Sequence, residues 1–165
     1  MRTKKDYKLT DHFSFYEFIE GEAVPVAGHK LNWEHISECD ETKLKKIAEE
    51  LEVVRKLIND KFQKLNKGVE IGLNVNAGWR CKNWELAQKR SGNSQHTIAA
   101  ADVYPTNVDS VLALTIIQFL CERYWPKTSS GWKGGFAIGW PKPKGKFKVG
   151  FVHFDLRGLQ ARWLY

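Results

Sequence analysis

Five polar residues stand in this 165-residue chain at places where a folding core would want apolar ones. Arg80 follows a glycine and the alternating run Val69, Ile71, Leu73, Val75, Ala77; His96 and Asp102 bracket the segment TIAAA; His153 and Asp155 lie inside VGFVHFDLR. Two imidazoles and a carboxylate suit a catalytic zinc ion, which takes three protein N or O ligands and leaves a fourth position open. A fixed guanidinium beside such a centre stabilises negative charge as a carbonyl is attacked. Plainer readings stand beside these. A histidine on an apolar strand is commonly a hydrogen-bonded core residue, Asp155 and Arg157 point the same way on a strand and could simply pair, and Arg80 could neutralise a buried carboxylate. Spacing alone leaves both sets of readings open.

Elements must bring these residues together, because they are far apart in sequence. Ser14 and Glu17 form an S-x-x-E capping box, which predicts a short helix ending near Gly21. The segment from there to about residue 39 reads as loop. Leu44, Ile47, Leu51, Val54, Ile58, Phe62 and Leu65 recur at three- and four-residue steps, one apolar stripe on a long helix over 41–65. The run 69–77 alternates as a strand does and is broken by Gly78. Residues 82–90 make a short helix, SGNS a loop, and Ile98 to Tyr104 a buried strand bounded by Pro105. Asn107 or Asp109 starts a helix so apolar around its girth that it belongs in the core. GGFAIGW and VGFVHFDLR read as two strands joined by a long loop carrying Lys142, Lys144, Lys146 and Lys148. No repeat and no linker appears, and strands and helices do not alternate in βαβ units. The expectation is one α+β domain over 1–165, with a mainly antiparallel sheet packed against helices.

The bulk composition narrows the partners. A formal net charge of +7 attracts polyanions, whether nucleic acid, anionic membrane or anionic cell wall. No nucleic-acid motif or clustered basic helix is present, so no nucleic-acid partner is expected. No apolar window approaches the roughly 18 residues of a membrane helix. The basic N-terminus has no apolar core after it, so synthesis in the cytoplasm without a signal peptide is expected. Cys39, Cys81 and Cys121 form no C-x-x-C pair, which suggests neither a disulfide framework nor a cysteine zinc site. A monomer is expected.

The order of the blocks carries a resemblance. GWRCKNWELAQKRSGNSQHTIAAADV is similar to the segment S-G-x-R, short helix, S-x-H-x-x-G-x-A-x-D of the M15 family of zinc D,D-carboxypeptidases, and GFVHFDLRGLQARW to its closing H-x-D-x-R and R-W element. LTDHFSFYEF resembles the family's opening, and the sixteen-residue step from Arg80 to His96 matches. The resemblance implies the hedgehog/D-Ala-D-Ala peptidase fold, a Zn2+ ion held by His96, Asp102 and His153, and hydrolysis of peptidoglycan stem peptides, either D-Ala-D-Ala or L-Ala-D-Glu. It further implies that Arg80 grips a substrate carboxylate or the developing oxyanion, that Ser94 shapes the His96 loop and assists in substrate binding, and that the protein reaches the wall after release, as a phage or prophage lysin does. A cell-wall-binding module that keeps the fold without turnover is the alternative. The chain departs from the family twice. Only five residues separate His96 from Asp102 where the family has six, a change that would turn Asp102 away unless the loop absorbs it. Gly150 stands where many relatives carry the acidic general base, which leaves Asp155 either as the substitute for that role or as a residue that orients a ligand.

Overall fold

The Ser14 hydroxyl accepts from Glu17 N–H and the Glu17 carboxylate accepts from Ser14 N–H, the reciprocal cap predicted for helix α1, Phe15–Ile19. The computed structural model describes residues 6–126, 132–141 and 150–165. After α1 come α2 (Val26–His35), α3 (Glu38–Phe62), β1 (Gly72–Ala77), α4 (Lys82–Ala87), a 3-10 turn (Gln95–Thr97), β2 (Ala100–Thr106), α5 (Ser110–Tyr124), β3 (Gly135–Gly139), β4 (Phe151–Asp155) and β5 (Ala161–Leu164). The strands form one five-stranded sheet in the order β1-β2-β4-β3-β5. β3 pairs antiparallel with β4 and parallel with β5, so the sheet is mixed. The α+β class stands.

The chain gathers into two compact units, Met1–Glu52 with Val75–Ala101, and Val53–Asn74 with Asp102–Tyr165. Their boundaries fall inside α3, β1 and β2. The first unit buries Phe13, Phe15, Phe18 and Ile19 with Leu44, Ile47 and Leu51 of α3. Its α2 replaces the loop expected there. The helix has Pro25 at its N-cap, no side-chain cap bond, and Gly28, Asn32 and Trp33 as its buried residues, so no apolar stripe marks it in the sequence. What holds it is tertiary. Asn32 is fully buried, donates to the carbonyls of Ile19 and Trp79 at 3.0 Å each, and accepts from Cys81 N–H at 2.9 Å. Those bonds fix the backbone on both sides of Arg80.

The second unit packs the later stripe of α3 (Val54, Ile58, Phe62) and α5 (Ala113, Ile116, Ile117, Leu120) as core residues. Asp109 is the N-cap of α5 and accepts from Leu112 N–H at 2.8 Å. This helix is not buried all round as expected: Val111 and Leu114 are exposed. Tyr124, Trp132, Phe136 and Phe154 form an aromatic cluster with centroids 5.2–6.4 Å apart, which anchors β3 and β4. β5 was not expected as a strand. β2 runs through Pro105 to Thr106 instead of stopping before the proline. The lysine run at 142, 144, 146 and 148 lies outside the described residues.

Candidate metal centre

In the first unit, β1 ends at Ala77 and Gly78 turns the chain where a Cβ would come within 2.5 Å of the Phe18 backbone. Arg80 N–H then donates to the His96 carbonyl at 2.9 Å, and the His96 ring bonds back through Nδ1 to the Gly78 carbonyl at 2.6 Å. A carbonyl only accepts, so Nδ1 carries the hydrogen and Nε2 keeps the lone pair that a metal can use. Ser94 caps the 3-10 turn, accepting from His96 N–H, and its hydroxyl also accepts from Arg80 Nη2 at 3.3 Å. Arg80 Nε stands 3.0 Å from Glu85 Oε1, a close ion pair without hydrogen-bond alignment, and Glu85 also takes Arg90 at 2.9 Å. Glu85 is thus a buried carboxylate between two guanidiniums. It is a site residue that the sequence reading missed, since one acidic residue in a short helix carries no signal of its own.

In the second unit the register explains the arrangement. Ala137 of β3 faces His153 of β4, and Gly135 faces Asp155. A Cβ at Gly135 would lie 2.2 Å from an Asp155 carboxylate oxygen; glycine there is what lets that carboxylate turn inward. His153 meets Asp102 Oδ1 through Nδ1 at 2.7 Å and Asp155 Oδ2 through Nε2 at 3.1 Å. The Trp163 ring lies against it at 4.9 Å. Burial works against the charged imidazole, but the two carboxylates outweigh it and raise the His153 pKa above its ordinary value.

Asp155 is fully buried and heavily engaged. It accepts from Gly135 N–H at 2.9 Å, from Arg157 N–H at 3.1 Å and from the Arg157 guanidinium at 2.6–3.0 Å. Burial raises its pKa, yet the bonds from His153, Arg157 and Gly135 overcome this and hold it well below the usual carboxylate range. Both readings of the residue therefore meet: it pairs with Arg157 and it touches His153. This geometry favours orienting His153 over the general-base role expected of Asp155. Its oxygens already hold donors, and its proton affinity is depressed.

The ligand atoms of His96, Asp102 and His153 all lie within 4.8 Å of one another, and all three residues are buried. No family model, no curated protein and no solved structure matches this chain. The 3-10 turn at Gln95–Thr97 and the non-strand backbone of Ile98 (φ −118°, ψ −79°) come before β2 opens at Ala100, and Asp102 is buried within that strand. Two imidazole nitrogens and a carboxylate oxygen at this mutual distance fit the donor chemistry of a zinc site, and the Asp155 bond to the far nitrogen of His153 is the kind of contact that orients such ligands.

Proposed function

We propose that this chain is a zinc-dependent peptidase of the M15 type that hydrolyses peptide bonds in peptidoglycan stem peptides. The observation that carries this is the buried convergence of His96, Asp102 and His153. His96 would bind through Nε2 and His153 through Nδ1, with Asp102 as the oxygen ligand. Zinc, when bound, polarises the scissile carbonyl and lowers the pKa of water towards about 7. Arg80, steadied by Glu85 and Ser94, binds a substrate carboxylate or the oxygen on which charge develops. A cleft of about 310 Å³ lined by Trp79, Cys81 and Thr97 lies beside the segments that carry Arg80 and His96, although neither of those two side chains lines it.

One observation favours a second reading. Gly150 has no side chain, and the carboxylate of Asp155 is taken up by partners, as expected of a cell-wall-binding module that holds the metal without turnover. Among the described residues no helix is long and apolar enough to cross a membrane; delivery to the wall after release, as for a phage lysin, belongs to the proposal.

Mass spectrometry of purified peptidoglycan and of synthetic stem peptides after incubation with zinc-loaded protein tests the enzyme reading. New termini at D-Ala-D-Ala or L-Ala-D-Glu, lost in His153→Ala, are the expected result. Intact peptides together with co-sedimentation on peptidoglycan would select the binding module.

A further inference from the structure

Every residue lining the cleft of about 310 Å³ belongs to the first unit, and most of its polar side chains already have partners. Asp40 accepts from the Ser37 hydroxyl at 2.6 Å and from Ser37 N–H at 3.2 Å. Asn83 bonds to the His35 ring across 2.9 Å, the Thr97 hydroxyl donates to the Ser94 carbonyl at 2.7 Å, and Cys81 Sγ accepts from Trp84 N–H at 3.3 Å. Two lining residues stand apart. Trp79 is only 4% exposed, and its Nε1 is buried with no hydrogen-bond partner. Lys82 is exposed and makes no ion pair among the described residues. The Trp79 backbone is fixed from both sides, its N–H donating to the Phe18 carbonyl at 2.8 Å and its carbonyl accepting from Asn32 at 3.0 Å.

An indole nitrogen only donates. A buried donor without an acceptor is rare enough to mark a place that ordered water or a ligand fills, and the cleft that Trp79 lines is where such an acceptor enters. Both unmatched groups are donors and one is a cation, so the cleft calls for an anion. Asp40 on the wall limits that anion's charge, because it repels a phosphate dianion more strongly than a singly charged carboxylate. The volume lies at the low end of small-molecule pockets, which begin at roughly 300 Å³, and suits the last residue of a peptide better than a two-carbon acid. We propose that this cleft binds the terminal carboxylate of a peptide, one oxygen accepting from Trp79 Nε1–H and the charge facing Lys82. The site stands on the first unit alone and does not rest on the zinc reading.

NMR titration of protein labelled with 15N-tryptophan tests the proposal, using N-acetylalanine as the minimal peptide end. The Trp79 indole resonance, one of seven from tryptophan, is assigned from its own backbone. N-acetylalaninamide, acetate and inorganic phosphate are titrated in parallel. We expect the Trp79 indole proton to move downfield and saturate with N-acetylalanine, and the amide to bind on the order of tenfold more weakly. Affinity should fall on the order of tenfold in Trp79→Phe, the loss of one hydrogen bond to a charged group, and about two- to fivefold in Lys82→Met, the loss of an exposed charge pair. Lys82 lies on the surface, so its variant reads the site even where Trp79→Phe disturbs the fold. A Trp79 indole that does not move, with or without binding elsewhere on the protein, overturns the proposal. Equal affinity for the amide would also overturn it, as would acetate or phosphate binding as tightly as N-acetylalanine.

Discussion

Asp155 shows how one carboxylate can be assigned by what already surrounds it. With its oxygens held by Gly135, Arg157 and His153, it fixes the imidazole, and on the zinc proposal it would strengthen that imidazole as a ligand. Asp155→Asn should therefore weaken zinc binding by about 10- to 100-fold, the usual cost of losing an outer-shell partner, as read by chelator competition. If Asp155 were the base, zinc affinity would hold and kcat alone would collapse. Arg80 poses the same kind of choice, since the structure gives it both a buried ion-pair partner and a place beside His96. Arg80→Lys keeps the charge but not the planar fork. The expected result is normal zinc content with kcat/KM down on the order of a hundredfold; a change in thermal stability with turnover intact would reduce Arg80 to a structural partner of Glu85.

At the scale of elements, the site depends on glycine and alanine opposite the functional side chains. Gly135→Ala would drive a methyl into the Asp155 carboxylate, so the variant should lose on the order of 1–3 kcal/mol by denaturant titration and lose zinc affinity with it. Unchanged affinity would show that Asp155 does not set the His153 ring. Elements whose signals are local were legible in the sequence: the Ser14 box, the α3 stripe and the Asp109 cap each rest on residues within a turn or two of one another. α2 was not, because its key buried side chain, Asn32, is polar and is satisfied only by carbonyl and amide groups 13, 47 and 49 residues away. β5 was not either. ARWL is half-exposed and lies at one end of the sheet order, so it carries no alternation to read. The metal-ligand candidates themselves were visible as polar residues in apolar runs. Of the partners around them, Arg157 was readable from its two-residue spacing to Asp155, whereas Glu85 became clear only from distances.

For the molecule as a whole, acid sensitivity and charge give further handles. Glu52 is partly buried, which raises its pKa, but the Thr10 hydroxyl and the backbone and ring of His12 lower it further than burial raises it. A depressed folded pKa contributes stability that is full above the ordinary value near 4.5 and is lost as pH falls through the lower folded value. Thermal melts should show Glu52→Gln less stable than wild type at pH 7, with the gap closing below about pH 4; a gap independent of pH would remove Glu52 from the acid response. The net charge of +7 predicts that any association with polyanions, the proposed wall polymers included, weakens as salt rises from about 50 to 200 mM. Everything proposed for the site nevertheless turns on one ion. Elemental analysis of the purified protein, with wild type, His96→Ala, Asp102→Asn and His153→Ala titrated with zinc in parallel, tests this directly. The account predicts about one zinc per wild-type chain, none retained by either alanine variant and weakened binding in Asp102→Asn, with wild type melting at a higher temperature when zinc is added. A folded wild-type protein that takes up no zinc, or a His153→Ala variant that binds it as tightly as wild type, would contradict it.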